Sequence, residues 1–177
     1  MSGTLDLLSG LLAFTPITVV NPVSPYTIPQ GATNVIIEIW GGGGAGAYVR
    51  SSYPCAGGQK IYFLNAASGG APNPSGGIGG AGGDLSVNAA LTTIPSFVAM
   101  LAQGGRGGQG VTTPGIGGSA SGGNQANING PAGQIPFGAI GIPGTIFGDG
   151  SPYGGGSTGS AGAVNPGSSG AIVFYFT

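Results

Sequence analysis

Residues 34–40, NVIIEIW, run directly into the four consecutive glycines at 41–44, and this stretch decides the fold. In an extended chain, successive side chains point to opposite faces. One face of the predicted strand carries the β-branched Val35, Ile37 and Ile39, and the other carries Ile36, Glu38 and Trp40 and is also largely apolar. A strand that is apolar on both faces is typical of the inside of a sandwich or of a subunit interface. The glycines end the strand abruptly, because glycine has a low β-propensity.

Further strands are predicted from the same β-branched and aromatic character. They are residues 17–20, 26–29, 59–64, 84–87, 97–102 and 171–177. We expect the last of these to pair centrally in a sheet, since a terminal strand at an edge would fray. Beyond the N-terminal arm, no segment has helical periodicity. The predicted fold class is therefore all-β, a jelly-roll-like β-sandwich with long glycine-rich loops.

Glycine dominates the composition, with 42 of 177 residues, and 14 more are proline. The tracts 76–83 and 104–110 repeat Gly-Gly-x, which matches the three-residue turn of polyproline II. Two interpretations stay open for these tracts and for residues 103–170: flexible loops, or local polyglycine-II packing with hydrogen bonds between neighbouring backbones. Because so much glycine makes folding entropically costly, we expect a homo-oligomer or a larger assembly to supply the missing burial.

Charge and residue usage exclude several classes of function. The chain has three Lys and Arg, four Asp and Glu, no histidine and one cysteine. A histidine-based triad, a His-ligated metal, a disulfide framework and a structural zinc site are therefore impossible. A net charge of −1 supplies no basic stripe for nucleic acid. We predict no catalytic residues, cofactor or metal, and interpret Asp84 and the other carboxylates as turn and capping groups.

The N-terminal residues 1–14 form a separate apolar arm in front of the predicted β domain, residues 15–177. Leu5, Leu8 and Leu12 follow the i, i+3, i+7 spacing of one helical face. The arm either packs on its own domain or docks into a neighbouring subunit. It carries Asp6 and no Lys or Arg, so no signal peptide is predicted, and it is too short to span a membrane.

Six aromatic residues complete the set of candidate site residues. We interpret Trp40, Phe174 and Phe176 as core or subunit-interface residues and place them with the arm leucines as candidate assembly positions. We assign the tyrosines to loops, where a rigid amphipathic ring suits surface recognition. These candidate recognition residues are Tyr48, Tyr53 and Tyr153.

The order of these features resembles the glycine-rich domain of bacteriophage tail fibres and related virion proteins. Residues 26–34, YTIPQGATN, match its opening turn, and the strand that runs into glycines 41–44 follows. Residues 100–105, MLAQGG, match a second strand that leads into glycine, and residues 167–175, GSSGAIVFY, match the closing strand. The family often appends this domain to a long fibre, whereas here it makes up nearly the whole chain.

The resemblance implies a virion protein without catalysis, made in the host cytoplasm. It further implies assembly with itself, in the three-fold symmetry common in fibres, and with other virion proteins. Its loops would contact a bacterial surface polysaccharide or protein. Two alternatives stay open. One is a capsid decoration, cement or head-fibre protein, and the other is an ice-binding or matrix-type glycine-rich protein.

Overall fold

The computed structural model describes residues 14–43, 46–68, 82–105, 115–131, 158–160, 163–165 and 169–177. These residues form strands and loops without a helix, so the predicted all-β class is confirmed. The strands are β1 (Ile17–Val20), β2 (Tyr26–Thr27), β3 (Asn34–Trp40), β4 (Tyr48–Pro54), β5 (Lys60–Ile61), β6 (Phe63–Asn65), β7 (Leu85–Val87), β8 (Met100–Ala102), β9 (Ala120–Ser121), β10 (Ala126–Ile128), β11 (Thr158–Ser160), β12 (Ala163–Asn165) and β13 (Ala171–Phe176).

Two antiparallel sheets pack against each other as the layers of a sandwich. The larger sheet has the order β1-β13-β3-β4-β10, and the smaller has the order β6-β7-β8-β9. Strands β3 and β4 of the larger sheet contact β7, β8 and β9 of the smaller one. Because consecutive strands pair throughout the smaller sheet, that sheet is a meander, and the likeness to a jelly roll extends only to the two layers. Two short ladders, β2-β5 and β11-β12, complete the strand pairing.

The core lies between the two sheets, and the period-two alternation of each strand supplies it. In β3, the face that carries Val35 and Ile39 points into this core. In β13, Ile172 and Phe174 do the same, while Val173 between them belongs to a second cluster on the opposite face. The smaller sheet contributes to the core from each of its first three strands. Its buried residues there are Phe63, Leu85, Val87, Met100 and Ala102.

Strand β13 lies between β1 and β3, as predicted for the last strand. Its register places Phe174 opposite Val19 on one side and opposite Ile37 on the other. The Phe174 ring meets the Phe63 ring edge to face, with 5.7 Å between centroids. Such edge-to-face pairs of aromatic rings stabilise the fold beyond the contribution of their buried apolar area.

Strand β4 is the largest feature that the sequence pattern does not reveal. We placed Tyr48 and Tyr53 in loops, and this is wrong, because they are the first and sixth residues of β4 and both are buried. Between them lie Arg50, Ser51 and Ser52, which interrupt the apolar pattern. The strand forms because it pairs with β3 along its whole length, with Arg50 opposite Glu38.

Several predicted positions lie outside the described residues. These are the arm leucines Leu5, Leu8 and Leu12, and also Tyr153 and Asp149. Phe14 is the first of the described residues. Its side chain packs against the core and lies close to Gly31. In the part of the chain that the structure describes, there is no helix long and apolar enough to cross a membrane.

Candidate functional site

Three glycine segments meet at one end of the sandwich. Residues 41–43 follow β3, residues 82–83 precede β7 and residues 104–105 follow β8. We call these three segments the glycine junction. Since β3 belongs to one sheet and the other two strands to the second sheet, the glycine junction joins both layers at this end.

Backbone hydrogen bonds link the three segments in a closed cycle. The Gly42 amide donates to the Gly83 carbonyl at 2.9 Å, and the Gly82 amide donates to the Gly105 carbonyl at 2.9 Å. The Gly105 amide then donates to the carbonyls of Gly42 and Gly43, each at 3.1 Å. Each segment both donates and accepts, so the peptide groups in this cycle are satisfied without side chains. Most of the tracts 76–83 and 104–110 lies outside the described residues, so both interpretations of these tracts stay open.

The glycine junction has no room for a side chain. A Cβ at Gly82 would lie 1.8 Å from the Gly42 carbonyl oxygen, and one at Gly83 would lie 1.6 Å from the Ala66 carbonyl oxygen. A Cβ at Gly104 would lie 2.2 Å from the Gly82 carbonyl oxygen. The atoms in the way belong to backbone, which cannot turn aside as a flexible side chain can. Glycine is therefore required at these positions by close approach.

Neighbouring loops are tied to the glycine junction in the same way. The Ala47 amide at the start of β4 donates to the Gln103 carbonyl at 2.9 Å. The Gly83 amide donates to Ser68, and the Gly170 amide, just before β13, donates to the Ala67 carbonyl at 2.7 Å. The loops at this end are consequently held by a continuous backbone network that joins β4, β7, β8 and β13.

A shallow cleft opens beside the glycine junction, with a volume of about 370 Å³. The exposed Asp84 carboxylate lies at the cleft and accepts a hydrogen bond from the Gly104 amide at 2.9 Å. This contact agrees with the predicted turn and capping role of Asp84. The cleft offers hydrogen-bonding groups of both kinds together with one exposed apolar side chain. Its lining consists of Gly82, Asp84, Gln103, Gly104, Ile116, Gly117, Gly118 and Ser119.

A buried polar group lies on the far face of the larger sheet. The Tyr48 hydroxyl donates to Glu38 Oε1 at 2.5 Å, and Arg50 Nε lies 3.6 Å from the same oxygen. The Trp40 ring packs on Tyr48 with 5.2 Å between centroids. A charge inside a protein is tolerated when it is paired and hydrogen-bonded, and this arrangement explains how Glu38 stays fully buried mid-strand.

The candidate assembly aromatics lie inside the chain rather than on its surface. Trp40, Phe174 and Phe176 are all buried within the described fold, so of the two interpretations left open the structure supports core residues. Tyr53, also buried, packs on Phe97 and accepts a hydrogen bond from the Val98 amide at 3.3 Å. Tyr48 and Tyr53 therefore present no recognition surface in this chain.

Apart from Asp84, the cleft residues are not predicted as site residues from the sequence. Gln103 lies within the matched stretch 100–105, but only as a residue between a strand and glycines, and Ser119 lies in no motif. One signal that could have found the place is the glycine run itself, since three glycine segments next to three predicted strands indicate a close backbone approach. The second signal is Glu38, because a carboxylate within an apolar strand needs a partner and the chain has only three cations.

Cys55 is the free thiol of the chain and packs, half-buried, against the core. Burial raises the pKa of the Cys55 thiol, which disfavours the reactive thiolate. Among the described residues, no three His, Cys, Asp or Glu side chains lie close enough to hold a metal ion. In comparisons with known proteins, no family model and no curated protein matches this chain.

Proposed function

We propose that this chain is a non-enzymatic structural protein of a bacteriophage particle. It acts as a tail fibre, tail spike or adhesin-type component, is made in the host cytoplasm, and assembles with itself and with other virion proteins. The observation that carries the proposal is the glycine junction. Its cycle of backbone bonds fixes the loops at one end of a sandwich.

The position of the glycine tracts adds support. Two of the features by which the sequence resembles the phage glycine-rich domain are the strand that runs into glycines 41–44 and the strand that leads into Gly104 and Gly105. In the fold, these two glycine segments bond directly to each other through Gly105 and Gly42. Part of the resemblance therefore rests on residues that act together as one structural unit.

The host contact is assigned to the loop end, at the cleft beside the glycine junction. Asp84, Gln103 and Ser119 offer a carboxylate, an amide and a hydroxyl, which are groups that pair with the hydroxyls of a surface polysaccharide or with the backbone of a surface protein. Ile116, 66% exposed, adds an apolar contact. With so few charges, recognition depends on shape and hydrogen bonds rather than on electrostatic steering.

A second candidate is a capsid decoration, cement or head-fibre protein. It is favoured by exposed apolar side chains in and beside the smaller sheet, which would pack on a shell. Leu64 of β6 and Leu91, in the loop after β7, are 66% and 55% exposed. Large exposed apolar residues in one region indicate a contact surface.

The test is to find the protein on purified phage particles. Antibodies against the chain and gold labelling would place it under the electron microscope, and quantitative mass spectrometry of the particles would give its copy number. We expect label at the tail tip and a low copy number. Label spread over the head at high copy number would support the decoration protein instead, and absence from the particles would reject both.

A further inference from the structure

Strand β1 is the outermost strand at one edge of the larger sheet, and none of the described residues pairs with its outer side. Its amide and carbonyl groups alternate between the two sides of the strand. The Asn21 amide, one residue past β1, donates to the carbonyl of Ile172 in β13. The backbone groups of Asn21, Val19 and Ile17 therefore face β13. Thr18 and Val20 therefore direct their backbone N–H and C=O groups away from the sheet.

The other edges of the two sandwich sheets are each bonded to a neighbouring segment among the described residues. On the edge of β6, the Phe63 amide donates to the Ser24 hydroxyl at 2.9 Å. The edges of β9 and β10 meet each other, since the Gly130 amide donates to the Gly118 carbonyl and the Ala120 amide donates to the Asn129 side chain. On β1, by contrast, Thr18 is exposed and Val20 is 49% exposed.

The edge of β1 is only partly protected against pairing. Native proteins protect edges with short strands, charged side chains, prolines, bulges or covering loops, and β1 has two of these features: its length of four residues and the prolines at positions 16 and 22. Residues 14–23, FTPITVVNPV, contain no charged residue, and all four residues of β1 are β-branched. Such a strand is well suited to extend a sheet by pairing with a second strand.

We propose that β1 pairs antiparallel with β1 of a second copy of this chain, around a two-fold axis at Val19. The sequence between Pro16 and Pro22 is symmetric about Val19 in its hydrogen-bonding capacity. In this register Thr18 lies opposite Val20 of the other copy, so the outward N–H and C=O groups of both residues are satisfied by four bonds. The prolines, which have no N–H to donate, fall opposite each other where the ladder ends.

Side-chain chemistry favours the same partner. On one face Thr18 would contact Val20 of the other copy, and on the other face the two Val19 side chains would meet. Cross-strand pairs of β-branched residues stabilise antiparallel sheets. The result is one continuous sheet through both subunits, with an isologous interface. This proposal rests on one part of the proposed function, that the chain assembles with itself. It does not depend on where in the virion the chain lies.

The test is the mass of the full chain in solution, measured by light scattering over a range of concentrations. A two-fold contact predicts an even number of chains: two, or six if a three-fold contact also forms.

The variant Thr18→Pro removes the backbone N–H of residue 18, which points away from the sheet, and leaves every hydrogen bond to β13 in place. An edge strand tolerates proline at a position whose N–H faces solvent. We expect it to raise the dissociation constant of the pair by about tenfold or more. Thr18→Val, which keeps the donor, leaves association unchanged.

A second pair of variants guards against misfolding. Val20→Lys places a charge on the edge, whereas Val23→Lys places the same charge on an 84% exposed residue beyond it. We expect the first to dissociate the pair and the second to leave it intact, with both keeping the β signal in circular dichroism. Val19→Cys should cross-link two copies under mild oxidation, because directly opposed residues of this kind lie about 4.5 Å apart at Cα. The parent chain, with Cys55 alone, gives the baseline.

Three outcomes overturn the proposal. They are a chain that stays monomeric at all concentrations, an odd number of subunits, and a folded Thr18→Pro variant that associates as strongly as the parent. A chain that stays monomeric would mean that the β1 edge is available to an extended strand other than β1 of a second copy. None of the three bears on whether the chain is found on phage particles, so failure of the proposed function is detected separately.

Discussion

The core of the sandwich and the glycine junction are both tightly packed, but for opposite reasons. In the core, aromatic and aliphatic side chains fill the space between the two sheets, and stability comes from their removal from water. In the glycine junction, three backbones approach until no Cβ fits, and stability comes from hydrogen bonds between peptide groups. The comparison teaches that one chain can reach close packing by adding side-chain volume in one region and by removing it in another.

Truncation of a core aromatic should have the largest effect, because the core depends on volume. Phe174→Ala removes the ring that contacts Phe63 and Tyr26 at centroid distances of 5.7 and 5.5 Å. We expect the free energy of unfolding in urea to fall by about 3–5 kcal/mol. Leu64→Ala, at a 66% exposed residue of β6, serves as the control and should change it by less than about 0.5 kcal/mol. Similar losses of unfolding free energy for both variants would show that the side chains between the two sheets do not carry the stability.

Addition of one methyl group to the glycine junction should have the next largest effect. A Cβ at Gly83 would lie 1.6 Å from the Ala66 carbonyl oxygen. The backbone must shift, and we expect Gly83→Ala to lower the free energy of unfolding by about 3 kcal/mol.

The matched control for this variant is Gly58→Ala. At Gly58 the nearest atom to the new Cβ would be 3.7 Å away, so the cost comes from the positive φ of 84° alone. We expect a loss of roughly 1 kcal/mol. If Gly83→Ala loses no more than Gly58→Ala, then glycine is needed in the junction for its backbone conformation and not for close approach.

The buried polar group tests whether the far face of the larger sheet depends on charge pairing. Arg50→Met removes the cation that lies 3.6 Å from Glu38, whose carboxylate stays buried. We expect a loss of about 2 kcal/mol in the free energy of unfolding. The double variant Glu38→Gln, Arg50→Met removes both charges and should recover part of that loss. A double variant that is less stable than Arg50→Met would contradict this account.

The smallest effect is expected at Cys55, on the border of the core. Because burial raises the pKa of its thiol, the folded chain should react with a maleimide more slowly than the urea-unfolded chain at pH 8. The folded state also holds the thiol proton more tightly than the unfolded state does. The free energy of unfolding should therefore decline as the pH rises above about 8.5, where the unfolded thiol ionises. Cys55→Ser removes this decline, and equal reaction rates in the folded and unfolded states would refute the burial effect.

Sequence and structure agree where local chemistry is sufficient. The bounds predicted for β1 and β3 match those observed, and β13 ends one residue short of its prediction. All three are rich in β-branched and aromatic residues, which are enriched in strands. β4 was missed because Arg50 is favourable there only opposite Glu38, and that pairing is a property of the sheet. The short strands β9 and β10 were missed for a related reason, because their few residues pair through tertiary contacts with β8 and β4.

The candidate site shows the same division. The sequence shows where the glycine tracts lie, and the residue type of Asp84 predicts its capping role. That three tracts from two sheets meet in one cycle could not be predicted, since nothing in a run of glycine specifies its partner. Tyr48 and Tyr53 failed as recognition residues for a different reason: a tyrosine in a polar stretch suggests a loop until its strand partner is known.

The position of β13 in the larger sheet has a consequence for how the protein is made. β13 lies between β1 and β3, although it is synthesised more than a hundred residues after both. A ribosome that has translated β1 and β3 has produced two strands that cannot yet be joined in one sheet, each with an unpaired strand edge exposed to solvent. The sandwich closes in a late step, when one strand enters the gap and completes both ladders together. A chain interrupted shortly before β13 would lack the centre of its larger sheet, so the cell would see a stalled product as unfolded rather than as slightly shortened.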